Sequence, residues 1–318
     1  MRDAILTWYD AQGRYLAFRG TTDPYAILVS EAMAQQTQAA RAADAWGRFL
    51  IAFPTFAALA AASPADVLRA WRGLGYNRRA LALRATATVV TEAHGGDLPR
   101  DVAELERLPG IGPYTARAVA ALAFGQPVGA VDTNVRRVLL RSLAGEGAAD
   151  AAVDAADAPG AGATATRATS PREIQAMADA SVPLSRPGHW THALMDIGAV
   201  FCKPRNPRCA ACPALPWCRT GVARAAGGRG ETGAAMPKTP RPARTREAAA
   251  PFETTARWLR GRILDRLRDA ADGDWVDLRE AIGGHPAVAV AGALAALERE
   301  GLAQRDPADP GRGRLPLA

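Results

Sequence analysis

Apolar residues recur at helical spacing through most of this chain. Ile5, Leu6, Trp8, Tyr9 and Leu16 predict a short amphipathic helix and a loop over residues 3–17. Thr22-Asp23-Pro24 is a helix-opening signal, and the run from Tyr25 to Gln38, with Ile27, Leu28 and Met33 apolar, predicts a buried helix. Further helical patterns cover 40–53, 64–71 and 79–94, joined by short loops, which implies a compact all-helical domain. Val102, Leu105 and Leu108 carry the pattern on until Pro109-Gly110 ends it. Pro113 then opens another helix whose packing face is Ala116, Val119, Ala120 and Leu122. Order resumes after residue 170, and the helix predicted from Trp190 to Phe201 runs straight into the cysteines.

The pattern fails in two places. Residues 144–169 are rich in Ala, Gly, Asp and Thr without an aromatic, and read as a flexible insertion. Residues 221–250 are rich in Gly, Pro, Lys and Arg and read as a basic linker. Beyond it, helices are expected at 256–270, 276–282 and 287–300, then a hairpin, so that 251–318 resembles a winged-helix module. Such modules bind DNA or other proteins.

At 318 residues the chain is long enough for two domains, and its net charge of +7 favours a polyanionic partner such as nucleic acid. An alanine- and arginine-rich composition from a GC-rich genome would also raise that charge. No run of about 18 apolar residues and no signal-peptide pattern occur, so a cytoplasmic protein with no membrane partner is expected. It is further expected to be nucleoid-associated and monomeric.

Four stretches can carry chemistry. Gly110 and Gly112 make a turn ahead of a helix N-terminus, where free amides form an anion site; an ordinary helical hairpin would use the same glycines. Glu31 lies in an apolar helical stretch, where burial would raise its pKa and make it a general acid; a solvent-facing glutamate is the alternative. Leu74 and Tyr76, in Gly73-Leu-Gly-Tyr-Asn77 beside two arginines, could wedge into a base stack or simply anchor the loop. All four cysteines fall in Cys202-x6-Cys209-x2-Cys212-x5-Cys218, a donor set for either a [4Fe–4S] cluster or tetrahedral zinc.

The hairpin at 108–117, the Asp132 that follows it and the cysteine loop together resemble the helix-hairpin-helix DNA glycosylases that carry an iron–sulfur cluster. The resemblance covers residues 1–220. It implies a [4Fe–4S] cluster on Cys202, Cys209, Cys212 and Cys218, and phosphate-binding amides at Gly110 and Gly112. Within that group, Ser30-Glu-Ala-Met-Ala-Gln-Gln-Thr37 is similar to the signature of the MutY-type adenine glycosylases. Bifunctional relatives carry a nucleophilic lysine where Tyr114 stands here, so base removal without strand cleavage is implied. By the same resemblance, Glu31 protonates the departing adenine, Asp132 stabilises the sugar cation, Tyr114 supports the reacting groups, and Asn134 positions Asp132 or water. Arg19 is implied to be a pocket arginine and Asp196 a carboxylate facing the adenine. Gln36, Thr37, Leu74 and Tyr76 would fill the duplex gap and contact the opposite base.

The implied architecture is all-α: a two-lobed glycosylase domain at 1–220, with a six-helix lobe at about 24–130 and a cluster lobe built from the N-terminal helix and about 133–220. The implied partner is double-stranded DNA holding adenine opposite 8-oxoguanine or guanine. The sequence departs from the family pattern in three ways. Ala17-Phe18 replaces a Pro-Trp pair, Asn77 replaces an aromatic, and nothing after residue 220 resembles the Nudix-like domain of many relatives. A mismatch thymine or uracil glycosylase, or a catalytically silent DNA-binding protein on the same fold, are the competing readings.

Overall fold

The computed structural model describes residues 1–144, 169–226 and 251–317. Most of the expected insertion and of the expected linker lies outside the described residues. The chain divides into two compact units. One comprises Met1–Glu31, Pro99–Arg107 and Ile111–Ala234; the other comprises Ala32–Leu98, Leu108–Gly110 and Ala235–Ala318.

The first unit holds α1 (Arg2–Gln12), most of α2 (Pro24–Ala34), α7 (Val102–Glu106), α8 (Pro113–Ala123), α9 (Thr133–Leu139), α10 (Pro171–Ser181), α11 (Pro187–Val200) and α12 (Arg219–Ala225). Its core forms where Ile5 and Leu6 of α1 and Val135, Val138 and Leu139 of α9 meet Trp190, Ala193, Leu194 and Ile197 of α11. Residues 193–198 of α11 are all buried, so the helix is enclosed on every side there, the mark of a central core helix. Ser170 and Glu173 form a reciprocal capping box at the start of α10. The start of α12 is capped by the Cys218 sulfur, 3.3 Å from the Gly221 amide, so helix continues past residue 221, where linker is expected.

The second unit holds α3 (Ala39–Ala52), α4 (Phe56–Ala61), α5 (Pro64–Ala70) and α6 (Arg78–Ala93). Phe49 packs edge-on against Phe53 and Trp71, with ring centroids 4.9 and 5.9 Å away. The same unit includes the C-terminal tail: α13 (Ala256–Asp269), α14 (Ala287–Arg299) and strands β1 (Val276–Asp277), β2 (Gln304–Arg305) and β3 (Arg312–Arg314). The strands form an antiparallel sheet in the order β1-β3-β2.

The short helix expected at 276–282 does not form. Val276 pairs with Gly313 in the sheet, Leu278 is buried and Asp277 points out, so burial alternates along an extended strand. A turn at Gly283-Gly284 then closes a bridge between Ile282 and His285. Gly283 sits at φ +59° with its missing Cβ 2.6 Å from the Trp258 ring, so no other residue fits there without a shift. Leu278 and Ile282, four residues apart, only imitate helical spacing. Among the described residues no helix is long and apolar enough to cross a membrane.

Candidate active site

Helix α2 opens on Asp23, whose carboxylate accepts from the Tyr25 amide at 3.0 Å. Tyr25 through Glu31 are all buried, so the Glu31 carboxyl is largely withdrawn from water. Tyr114, in the first turn of α8, donates its hydroxyl hydrogen to Glu31 Oε2 at 2.9 Å. Burial is the main force on the Glu31 carboxyl and raises it to about 7; the bond from Tyr114 opposes the rise, and the charge of Asp132 adds to it. Burial beside this carboxyl also pushes the Tyr114 phenol well above its ordinary range. At neutral pH, therefore, Glu31 holds its proton in a substantial share of molecules.

Asp132 is the N-cap of α9. Its Oδ1 accepts from the Val135 amide at 2.6 Å, and its Oδ2 accepts from Asn134 Nδ2 at 2.9 Å. These two donors fix the carboxylate at a helix N-terminus, where the peptide dipoles favour negative charge. Asn134 is itself held by Arg137, which donates to its Oδ1 at 2.8 Å and to the Gly198 carbonyl at 2.7 Å. Gly198 is forced here: a Cβ would lie 2.5 Å from the Cβ of Asn134. Arg137 also donates to the Cys202 carbonyl, so the first cysteine and Asp132 are joined through two side chains, those of Arg137 and Asn134.

Asp196 is completely buried on α11 and binds two arginines. Its oxygens accept from the Arg14 amide at 2.9 Å, Arg14 Nε at 2.7 Å, and the two terminal nitrogens of Arg19 at 2.8 and 2.9 Å. Burial alone would raise this carboxyl, but the two guanidiniums outweigh it and hold Asp196 below its ordinary range. A carboxylate offers about four acceptor positions, and these bonds take them. Arg19 is left with its Nε buried and without a partner.

The four cysteines are free thiols lining one small cavity with Arg141, Phe201 and Leu215. Arg141 donates toward the Cys202 sulfur at 3.7 Å and to the Lys203 carbonyl at 2.7 Å. Burial pushes Cys212 up to about 11. Among the described residues no group of three or more His, Cys, Asp or Glu side chains is placed to hold a metal ion.

The remaining expected residues belong to the other unit, Gly112 excepted. Leu74 is buried, whereas Tyr76 is half exposed at φ +46°, and Gln36 at φ +53° is likewise in the left-handed region. Arg79 fixes this loop by donating to the carbonyls of Ala32, Leu74 and Gly75 and to the Thr37 hydroxyl, at 2.7 to 3.2 Å. Gly110 has φ +75°, and its missing Cβ would be 2.6 Å from Ala82, so packing alone requires glycine there. Gly112, in the first unit, has an ordinary extended φ and open space where a Cβ would be, and it caps α8 with no side chain over the end.

Sequence reasoning did not single out Arg14, Arg137 or Arg141. Arg14 lies in a loop without periodicity. Arg137 and Arg141 are four apart on the helical stretch after Asp132, and that spacing is a signal available in the sequence.

With its hairpin between α7 and α8, the fold is that of the base-excision DNA repair proteins. The profile of the HhH-GPD superfamily base excision DNA repair proteins matches residues 29–154. The chain is 41% identical over 267 residues to an adenine DNA glycosylase of Mycolicibacterium smegmatis, covering 84% of this chain and 80% of that one. It is 37% identical over 227 residues to the Homo sapiens adenine DNA glycosylase, covering 69% of this chain and 39% of that one. Among solved structures, a thermostable thymine-DNA glycosylase superposes with a TM-score of 0.59 at 27% identity, over 70% of this chain and 94% of that one. A trapped endonuclease III–DNA intermediate, at 24% identity and a TM-score of 0.55 over 70% of this chain and 95% of that one, shares the fold. The chain belongs to the adenine DNA glycosylase family.

Proposed function

We propose that this enzyme hydrolyses the N-glycosidic bond of adenine mispaired with 8-oxoguanine or guanine in double-stranded DNA, as a monofunctional glycosylase. The observation that carries the reading is the buried Tyr114–Glu31 pair, a carboxyl raised to about 7 within reach of the charge on Asp132. Glycosidic cleavage needs an acid on the leaving base and a negative charge beside the developing sugar cation. Glu31 supplies the proton to the adenine ring. Asp132 then faces the cation, and Asn134 keeps the carboxylate in place while water adds. With tyrosine rather than lysine at 114, no amine stands there to form a Schiff base, so the product is an intact strand with an abasic site.

Asp196 acts through its two arginines. Its acceptor positions are taken, so Arg14 and Arg19 are what it presents to the base pocket. Gln36, Thr37, Leu74 and Tyr76 fill the gap left by the extruded base, with Tyr76 foremost because it is already exposed. The Gly112 amide at the start of α8 takes a backbone phosphate beside Gly110.

Cys202, Cys209, Cys212 and Cys218 would hold a [4Fe–4S] cluster. The donor set fits: four thiols open onto one cavity, with Arg141 and the Gly221 amide directed at two of the sulfurs. When bound, the cluster would supply a redox-capable cross-link that ties 202–218 together. About four irons per chain and a visible absorbance band are expected; a colourless protein containing zinc would overturn the assignment.

The deciding experiment is a panel of labelled duplexes. Adenine release from A·8-oxoguanine and A·G, with the strand cut only after alkali, is expected. Release of uracil or thymine without adenine would refute the proposed activity.

A further inference from the structure

One buried hydroxyl in the cysteine loop has no partner in the fold. Thr220 is 2% exposed, follows Cys218 by two residues and lines the same cavity as the four thiols. Its hydroxyl oxygen is shut off from solvent and has no hydrogen-bond partner among the described residues. A serine or threonine within a helix ordinarily returns its hydroxyl to the carbonyl one turn back. Ser142 and Thr191 of the same unit do so, donating to the Val138 and Pro187 carbonyls at 2.7 and 3.0 Å. Thr220, the second residue of α12, does not. Burying a hydroxyl unpaired costs free energy, and a fold that keeps one leaves it for something outside the chain.

The sulfurs of the loop are not that partner. Cys218 Sγ accepts from the Gly221 amide at 3.3 Å and Arg141 donates toward Cys202 Sγ at 3.7 Å, whereas the Thr220 hydroxyl bonds to none of the four. Nor does the cavity suit water. Beside the thiols its wall is Phe201, Pro207 and Leu215, and the Arg141 guanidinium there is spent on the Lys203 and Pro204 carbonyls at 2.7 and 3.2 Å. A zinc ion bound by four thiolates would bring no acceptor of its own. A [4Fe–4S] cluster brings inorganic sulfides, which carry negative charge and lone pairs toward their surroundings.

We infer that the Thr220 hydroxyl donates a hydrogen bond to an inorganic sulfide of the cluster held by Cys202, Cys209, Cys212 and Cys218, and that this bond raises the cluster's reduction potential. The bond presupposes the [4Fe–4S] cluster proposed above. Its effect follows from charge. Reduction adds an electron to the iron–sulfur core, its sulfides become better acceptors, and the bond is stronger in the reduced form than in the oxidised one. The donors around the site then divide by acceptor: the Gly221 amide and Arg141 serve thiolates, and Thr220 serves the core.

The full chain as purified is first analysed for iron and acid-labile sulfide, and its cluster is then titrated electrochemically. Thr220→Val keeps the branched shape and removes the donor. The ratio of reduced to oxidised cluster at a fixed potential should fall about tenfold, a downward shift of about 59 mV for a one-electron couple. Thr220→Ser keeps the hydroxyl and should stay at the wild-type potential, a rescue that a merely structural role for residue 220 would not produce. Should the valine protein fail to take up iron, Thr220→Ala is compared with Thr220→Ser, and alanine should again lie below serine. Equal potentials with and without the hydroxyl overturn the inference and leave the cluster standing. A wild-type chain that purifies with zinc and no sulfide refutes the cluster itself, and the bond with it, before any variant is measured.

Discussion

The polar groups around Glu31 are paired inside the protein, whereas beside Tyr76 two arginines, Arg78 and Arg257, have no carboxylate within ion-pair distance among the described residues. In the first region burial does the chemical work. It raises one carboxyl to about 7, and hydrogen bonds fix a second, Asp132, at a helix end. In the second, arginines stay in water and keep their charge for a ligand. Proton transfer needs a site that water cannot equalise, and polyanion binding needs charge that no internal partner has neutralised. The two demands are incompatible at one spot, and the chain meets them with different residues.

The largest expected effect breaks the first region. Glu31→Gln and Asp132→Asn should each lower the rate of adenine release by about 10² to 10⁴-fold, the range for a lost acid or charge-stabilising group. Binding to an uncleavable duplex should change little. A Glu31→Gln enzyme working at near-normal rates would remove Glu31 from the role of acid.

Asp196 tests whether full internal pairing is required. Asp196→Asn leaves Arg14 and Arg19 facing a neutral amide, with Arg19 only 8% exposed at its side chain. Breaking a buried pair from one side costs about 3 to 5 kcal/mol, read as a lowered urea midpoint. Wild-type stability in this variant would mean that the arginines find other partners.

Glu31 also sets a pH dependence. Its ordinary value is 4.5 and its folded value about 7, so in that window the folded protein keeps a proton that the unfolded chain has released. Stability therefore falls as pH rises from 4.5 to about 7 and levels off above. The total is about 3 kcal/mol at 1.36 kcal/mol per unit. Glu31→Gln should flatten this slope and be the more stable protein at about pH 8, although inactive. The excision rate of the wild-type enzyme should hold across that window and drop as pH rises through about 7, where the folded enzyme's acid loses its proton. A variant with the wild-type slope would place the titrating group elsewhere.

How much of this was legible in the sequence varied with range. Helix starts were, because caps act within four residues: Asp23 before α2 and Ser170 before α10 announce themselves locally. Asp132 as the N-cap of α9 is equally local. The pairing of Glu31 with Tyr114, 83 residues apart, rested on family resemblance, since no periodicity connects them. The Arg14–Asp196–Arg19 cluster was half visible, with Arg14 hidden in a loop. The tail was the least legible, because the hydrogen bonds of Arg268 to Leu68 and Asn77 span 200 and 191 residues and leave no mark on local pattern.

Asn77 offers the smallest and sharpest test of the second region. Where the family resemblance implies an aromatic, this chain has an amide whose oxygen accepts from Arg268 at 2.7 Å. Asn77→Tyr restores the family residue but removes that acceptor. Arg268 keeps the Leu68 carbonyl at 2.9 Å and Asp265 at 3.3 Å, so the buried charge is not abandoned. The expected loss is that of one hydrogen bond to a charged group, about 1.5 kcal/mol. Through the slackened loop, duplex affinity should fall as well. If Asn77→Tyr were instead as stable as wild type and bound more tightly, the tail would not be what holds Tyr76 in place, and the amide at 77 would have no role in the loop.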